Sequence, residues 1–458
     1  MKTASIAWNE ISNYQLLPKP YLNMLTFSEY WKIGDICDIA SGMYVPEYCS
    51  PNTAGAKYYL RVDNVRQFLP NLSQADLAYV DSRLLSNTDR VTVHSGDIIL
   101  ARTGTLGKAF VVDRLTDGSI MSQHLTRLRI LPKYKEVLNP FIVAGYLNSP
   151  LCVNRLLSLA TGSTRLELTH ESMSNIEVPK ALQKLTGLSH QIDKIPELFI
   201  RQQEQAKEAI NECNSLIDHH VKHQRNELEC FVISGMPDNL RSLLPRYHLP
   251  RLKKVEEELI DNYECKRLRD IADVVRGAGT LSREYSDHGI PFLMTSSIVN
   301  YGIELFPEHY ATEQVYIMHG QHVGEGDILM TIEGKIGEVA LLGKNEKCVV
   351  KNHIEIVRLK EKIEVPREFV YSFMASDLGR AQFERRTIVQ TTIPGLASGS
   401  REILIPLVPK NNRQKRAFKE TVEKVADNVK KSVDARVQLR AILEAIIISI
   451  NNMLCDDI

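Results

Sequence analysis

Short apolar segments bounded by Gly, Asp or Ser recur along this chain, and most are too brief for helices. Asp97–Leu100, Ala109–Val112, Leu125–Ile130, Ile328–Ile332 and Val339–Leu342 read as strands. Asp97–Val112 reads as two strands joined by a glycine-rich hairpin at Thr103–Gly107. Helical patterning predicts helices over Pro140–Leu159 and Pro366–Arg385. Two stretches differ in kind. Residues 185–229 are poor in glycine and carry a sparse apolar stripe at Ile195, Leu198, Ile210 and Ile217. From Lys410 to Asn452, Phe418, Val422, Val425, Val429, Val433 and Val437 fall three or four apart, continued by Leu439, Leu443, Ile446 and Ile450. Such spacing predicts long amphipathic helices that can satisfy each other as an antiparallel pair. About 35 helical residues span roughly 50 Å at 1.5 Å per residue, more than the ~34 Å of one duplex turn.

The pattern occurs twice. Gly-Asp-Ile-Ile-Leu at Gly96–Leu100, followed by Gly104 and Gly107, returns as Gly-Asp-Ile-Leu-Met at Gly326–Met330, followed by Gly334 and Gly337, a shift of 326 − 96 = 230. In the same order, Asp35–Gly42 matches Asp270–Gly277, Tyr59–Val65 matches Phe292–Ile298, and Gln123-His124 matches Asn352-His353. The closing segments Ile176–Pro179 and Ile403–Pro406 match as well, as do the lead-ins Leu16–Pro18 and Leu243–Pro245. Only two long copies are present, so the chain is not a solenoid of short units. It reads as two α+β domains of one fold.

A chain of 458 residues exceeds what one core usually serves. With 56 Lys+Arg against 56 Asp+Glu, the formal net charge is zero. That argues against indiscriminate avidity for polyanions while permitting a local basic surface. The eight cysteines are scattered singly, without disulfide or zinc spacing. No uninterrupted apolar run is of bilayer-spanning length, and Asn9, Glu10, Pro18 and Pro20 stand where a secretory leader would be apolar. A cytoplasmic protein that makes no membrane contact is expected.

Two segments have enzymatic outlines. Asp327, Glu333 and Lys335 form a D-x5-E-x-K string of the kind that binds Mg²⁺ in nucleases. Only its aspartate recurs in the first copy, as Asp97, where Thr103 and Thr105 replace the other two. Asp273–Gly279 has a D-x3-G-x-G outline, but the chain holds no Asn-Pro-Pro-aromatic or Asp-Pro-Pro-aromatic string. It also has no Gly-x4-Gly-Lys-(Ser/Thr) loop. A strand-ending turn accounts for Asp273–Gly279 more simply. His124 and His353 lack a Cys or His at ligand spacing, so no metal or other cofactor is expected.

The residues suit nucleic acid better. Arg102, Thr103, Thr105 and Lys108 flank the first glycine hairpin, and small residues let such a loop approach a duplex. Gln and Asn pair with adenine edges, which brings in Gln123 and Asn352 beside the two histidines, with Arg127 or Arg129 available for phosphate or guanine. Polar stretches precede both closing segments, Thr161–Arg165 and Arg385–Thr392. The cluster Lys410, Arg413, Lys415, Arg416 and Lys419 opens the last helix as a candidate partner surface.

Two domains with Gly-Asp-Ile-(Ile/Leu), the hairpin Thr103-Gly104-Thr105-Leu106-Gly107-Lys108, and proline-ended strands feeding long helices resemble the specificity subunits of type I restriction–modification systems. The likeness runs from about Asn13 to Ile450, and the second hairpin departs from the first by carrying Glu333 where Thr103 stands. The resemblance implies an α+β chain with two duplicated mixed target-recognition domains, separated by long antiparallel coiled-coil helices. The expected boundaries are 1–180 and 231–409 for the domains, and 181–230 and 410–458 for the spacer helices. It implies a non-catalytic subunit whose domains each read half of a bipartite double-stranded DNA target. The helices would dock adenine methyltransferase subunits, two of them, and restriction/translocase subunits. A self-contained metal-dependent nuclease and a duplicated protein-binding adaptor are the rivals. Expected DNA contacts in the first domain are Arg61, Arg102, Thr103, Thr105, Lys108, Gln123, His124, Thr164 and Arg165. In the second they are Arg276, Ser296, Thr331, Lys335, Asn352, His353, Arg385, Arg386 and Gln390.

Overall fold

The computed structural model describes residues 27–104, 106–161, 166–217, 245–279, 285–286, 288–319, 321–389 and 393–456. The chain forms two compact units, Met1–Ile200 with Leu439–Ile458, and Arg201–Gln438. The lines between them fall inside two long helices rather than at helix ends.

In the first unit, β1 (Tyr30–Lys32) pairs with β9 (Glu177–Pro179), closing the domain at its two ends. An antiparallel sheet has the order β2 (Cys37–Ser41), β8 (Leu125–Ile130), β5 (Ile98–Ala101), β6 (Ala109–Val111). A three-stranded sheet sets β3 (Ala56–Leu60) between β4 (Tyr79–Asp81) and β7 (Ile120–Met121), with β3 and β7 parallel. All four residues of β5 are buried, as a central strand covered on both faces requires. The predicted helix over Pro140–Leu159 is two helices, α1 (Pro140–Leu147) and α2 (Pro150–Leu159). Ser149 breaks the run: its Oγ accepts from the Cys152 N–H and so caps α2, with proline at the first helical position.

The second unit repeats this order. β10 (Tyr263–Arg267) pairs with β22 (Leu404–Pro409). The four-stranded sheet runs β11 (Ala272–Arg276), β19 (Ile354–Leu359), β16 (Ile328–Thr331), β17 (Val339–Leu341). β12 (Ile290–Leu293) lies between β15 (His309–Ala311) and β18 (Val349–Val350), again with one parallel pair. The helical stretch is again divided by a serine, Ser376, into Arg367–Ala375 and Asp377–Arg386.

Helix α3 (Lys194–Asn214) and the 42-residue helix Lys415–Asp456 carry the predicted stripes. Within the second unit, Lys424 pairs with Glu212 at 2.7 Å and Glu208 at 3.2 Å, while Ser432 Oγ donates to the Gln202 carbonyl at 2.8 Å. Contacts that climb one helix therefore descend the other. Phe418, Val422, Val425, Val429 and Val433 share a core with Ala209 and Cys213. The C-terminal helix is long and apolar enough by length and composition to cross a membrane, although charged residues interrupt its apolar run. Its Leu439, Leu443, Ile446, Ile450 and Leu454 are nevertheless buried within the first unit.

Each unit also packs a residue of positive φ close to a long helix. In the first, Phe68 (φ +68°) and Ile450 close on Gly145, where an added Cβ would lie 2.6 Å from the Ile450 methyl. In the second, the turn Asn300-Tyr301, both at positive φ, has its carbonyls bonded by Gln202 and by the Tyr371 hydroxyl. Beside it Arg436, 1% exposed, bonds the Glu346 carboxylate at 2.5 and 3.0 Å and the Leu341 carbonyl at 2.7 Å. The lead-ins at Leu16–Pro18 and Leu243–Leu244 lie outside the described residues.

Candidate nucleic-acid interface

One end of each four-stranded sheet gathers the loops singled out by sequence. In the first unit the hairpin between β5 and β6 turns on Gly104 (φ +78°) and Gly107 (φ +83°). These are backbone conformations that favour glycine, and a Cβ on Gly107 would also meet Val153 of α2 at 2.8 Å. Two main-chain bonds tie neighbouring loops to the hairpin, and a third ties two of those loops to each other. Arg102 N donates to the His124 carbonyl at 3.0 Å, Leu168 N to the Arg102 carbonyl at 2.9 Å, and Gln123 N to the Met43 carbonyl at 3.0 Å. The Arg102 guanidinium bonds Ser41 Oγ at 3.0 Å and Glu167 at 2.7 Å. Strand end, hairpin, Gln123-His124 turn and the Glu167-Leu168 segment thus meet at one edge.

The second edge is built on the same bonds. Ile332 N donates to the His353 carbonyl at 3.0 Å and Leu396 N to the Ile332 carbonyl at 2.9 Å. Gly334 and Gly337 take φ +75° and +80°. The side chains are different. Glu333 stands 2.5 Å from His353 Nδ1 and 3.9 Å from Arg276, which lies opposite Glu355 on the neighbouring strand. Burial raises the Glu355 pKa, against the Ser400 hydrogen bond and the charges of Arg276 and Arg401, which lower it.

Of the expected residues, Arg102, Gln123, His124, Arg276, Asn352, His353 and Lys335 lie on the hairpins, turns and strand ends that form these edges, with Lys108 closing the first hairpin. Arg61 follows β3, where its guanidinium donates to the Asp76 carbonyl, and Ser296 is exposed in the matching turn after β12. Thr105, Thr164, Arg165 and Gln390 lie outside the described residues. Several expectations need correction. Arg385 and Arg386 end a helix instead of standing in a polar loop, and both are buried against the Glu256 carboxylate. Thr331 is fully buried, its hydroxyl donating to the Lys335 carbonyl and accepting from Glu338 N–H, so it closes the hairpin. Thr103 is buried. Arg127 is buried too, bonding Asp38 at 2.5 Å and the carbonyl of Arg90. The basic run opening the last helix is partly neutralised along its own surface by Arg416–Glu420 and Lys419–Glu423 pairs.

The nuclease string separates in space. Asp327 precedes β16 and pairs with Arg358 at 3.0 Å, as Asp97 pairs with Arg129 at 2.7 Å. The recurring aspartate therefore anchors a turn onto a strand, and Arg129 is engaged there. Glu333 lies beyond the other end of β16, roughly 20 Å away at ~3.3 Å per residue. Among the described residues no group of three or more acidic, His or Cys side chains could hold a metal ion. The glycine string at Asp273–Gly279 is a strand, β11, followed by a close backbone approach, with a Cβ on Gly277 falling 2.4 Å from the Val350 carbonyl.

Sequence patterns passed over two side chains on the first edge. Tyr44 and Tyr48 are 66% and 57% exposed in the loop after β2. Their signal was two aromatic residues among Pro46, Glu47 and Ser50, where no buried face calls for them.

Comparison with known proteins adds a family. The model described as Type I restriction modification DNA specificity domain matches residues 28–182 and again 260–421. Among solved structures, an S subunit of a type I restriction–modification system from M. genitalium is similar at 14% identity and TM-score 0.39, covering 94% of this chain and 97% of its own. An HsdS subunit from Thermoanaerobacter tengcongensis matches at 14% identity and TM-score 0.27, over 92% and 96%. A chain from a study of assembly and conformational transition of the type I R-M system matches at 13% and 0.28, over 93% and 99%. No curated protein matches the chain.

Proposed function

Since the chain belongs to the type I restriction modification DNA specificity family, we propose that its two sheet edges read the two halves of one bipartite duplex target. It is a DNA specificity subunit and not itself an enzyme. The observation that carries the reading is the double family match over two domains whose hairpin, turn and strand end converge in the same way. Converging loops on a rigid sheet suit the division of labour in DNA recognition, phosphate contacts fixing register and a few base contacts choosing sequence.

In this reading the domains are 1–180 and 231–409, duplicated copies of one ancestor. The stretches 181–230 and 410–458 are spacer helices pairing as an antiparallel coiled coil. Arg61, Arg102, Lys108, Gln123 and His124 face the first half-site, and Arg276, Ser296, Lys335, Asn352 and His353 the second. Thr105, Thr164, Arg165 and Gln390 remain candidates from sequence. Thr103, Thr331, Arg385 and Arg386 support the edges from inside. The helices dock two adenine methyltransferase subunits and the restriction/translocase subunits, in the cytoplasm, where the DNA is. The α3–C-terminal helix contacts and the apolar stripe support the spacer role.

Methylome sequencing of a host with and without the gene tests the reading. A bipartite adenine motif that vanishes with the gene is expected. An unchanged methylome in a host that expresses the chain with its methyltransferase would overturn it.

A further inference from the structure

The loop after β2 borders the first edge through the Gln123 N–Met43 carbonyl bond. It is tied down at both ends. Met43 N donates to the Met121 carbonyl at 3.0 Å, the Met43 carbonyl accepts from Gln123 N at 3.0 Å and from the Tyr59 hydroxyl at 2.7 Å, and Cys49 N donates to the Tyr79 carbonyl at 2.8 Å. Val45 is buried between these anchors. Tyr44 and Tyr48, on either side of it, remain in solvent. A tethered loop that buries its valine and holds two large rings outward is presenting them, because rings of this size are otherwise covered. The Tyr48 ring centre lies 5.8 Å from that of Tyr59 and 5.8 Å from the Arg61 guanidinium carbon. Tyr44 is three residues beyond Ser41, the partner of Arg102, and its neighbour Met43 is bonded to Gln123.

We propose that Tyr44 and Tyr48 form an aromatic edge of the first domain that contacts duplex DNA. Tyr44 packs on base edges beside Gln123, and Tyr48 with Arg61 meets the sugar–phosphate backbone. The inference rests on the reading of the sheet edge as a DNA contact. Aromatic rings offer apolar contact to bases and a hydroxyl to phosphate, and Arg61 and Arg102 on flanking elements supply complementary charge. Glu47 stands between the two tyrosines, so the loop contributes shape and contact rather than bulk positive charge. The second domain has Gly279 at the position aligned with Tyr44, whereas Tyr285, next to Ser286 whose N–H donates to the Tyr310 carbonyl at 2.8 Å, is the counterpart of Tyr48, so only the Tyr44 contact is confined to one half-site.

The test is the methylome of hosts carrying the full-length chain as Tyr44→Ala, Tyr48→Ala, Tyr48→Phe or Arg102→Ala. Tyr44→Ala should relax base preference at one or more positions, roughly tenfold in discrimination, in the half that Arg102→Ala also weakens, leaving the other half unchanged. Tyr48→Ala should lower methylation at all sites without changing the motif, and Tyr48→Phe should retain most of it. If Arg102→Ala acts while Tyr44→Ala and Tyr48→Ala both leave motif and extent unchanged, the aromatic edge is refuted and the domain reading stands. If none of these variants acts, both fall. If Tyr44→Ala lowers the unfolding temperature of the purified chain, Tyr44→Gln replaces it and is judged by the same motif criterion.

Discussion

At the first hairpin a guanidinium, Arg102, bridges Ser41 and Glu167; at the second a carboxylate, Glu333, lies between His353 and Arg276. The backbone bonds beneath them are the same. Arg102 and Ile332 each donate to a histidine carbonyl and accept from a leucine that precedes the closing segment, Leu168 or Leu396. The scaffold therefore fixes where a hairpin stands, while the side chains at its rim are free to differ in charge. With a guanidinium at one rim and a carboxylate at the other, the two edges suit different ligand surfaces.

The contrast extends into the interior, where it is open to the largest test. Glu256 sits beneath Arg385 and Arg386 in the second unit, all three buried. Removing one partner of a buried ion pair typically costs ~3–5 kcal/mol, so Glu256→Ala should bring forward the unfolding transition of the second unit in denaturant. A single transition at the parent midpoint would show that the pair is not holding that unit. At the rim, Arg102→Ala should weaken binding to the bipartite duplex by roughly tenfold or more and lower the salt slope by about one. Glu333→Ala should do neither. Removing its negative charge should leave affinity equal or higher, with any change confined to base preference in the second half-site, as competition binding on substituted duplexes will read. Equal losses from both variants would erase the proposed asymmetry.

The smallest effect concerns Glu355, opposite Arg276, for which the first domain has Thr126 opposite Ser41. Burial raises the Glu355 pKa, so the folded state holds its proton more tightly than the unfolded chain does. Its penalty is absent below the unfolded carboxylate pKa and grows as pH rises toward the folded value. Glu355→Gln should therefore raise thermal stability near neutral pH by about 1–3 °C, an advantage that disappears on acidification below pH ~4. A gain independent of pH would point to packing instead.

Much of this architecture was legible in the chain. The β5–β6 and β16–β17 hairpins announce themselves through apolar runs punctuated by glycines that the turns require at positive φ. The helical stripes show because their period survives for dozens of residues. The three-stranded sheets were not legible, since β7 and β18 are two residues long and pair in parallel with distant partners. Nor were the serine breaks, which need only a cap and one turn of different geometry. Arg385 and Arg386 looked like a solvated loop because sequence displays polarity and hides the partner, here Glu256, 129 and 130 positions away. Tyr44 and Tyr48 failed to register for the opposite reason: periodicity detects what is buried, and these are conspicuous only once their exposure is known.

The Arg436–Glu346 pair bears on how this protein can be recombined. The two partners lie on opposite sides of residue 410, where sequence alone would place the seam of a chimera. A graft joined there with a foreign second domain would inherit a buried guanidinium with no anion beneath it. An exchange that moves the Glu346 turn together with the Arg436 helix, or replaces both residues together by apolar ones, avoids that burden. The modular boundary of this protein, for an engineer, is an ionic contact and not a position in the chain.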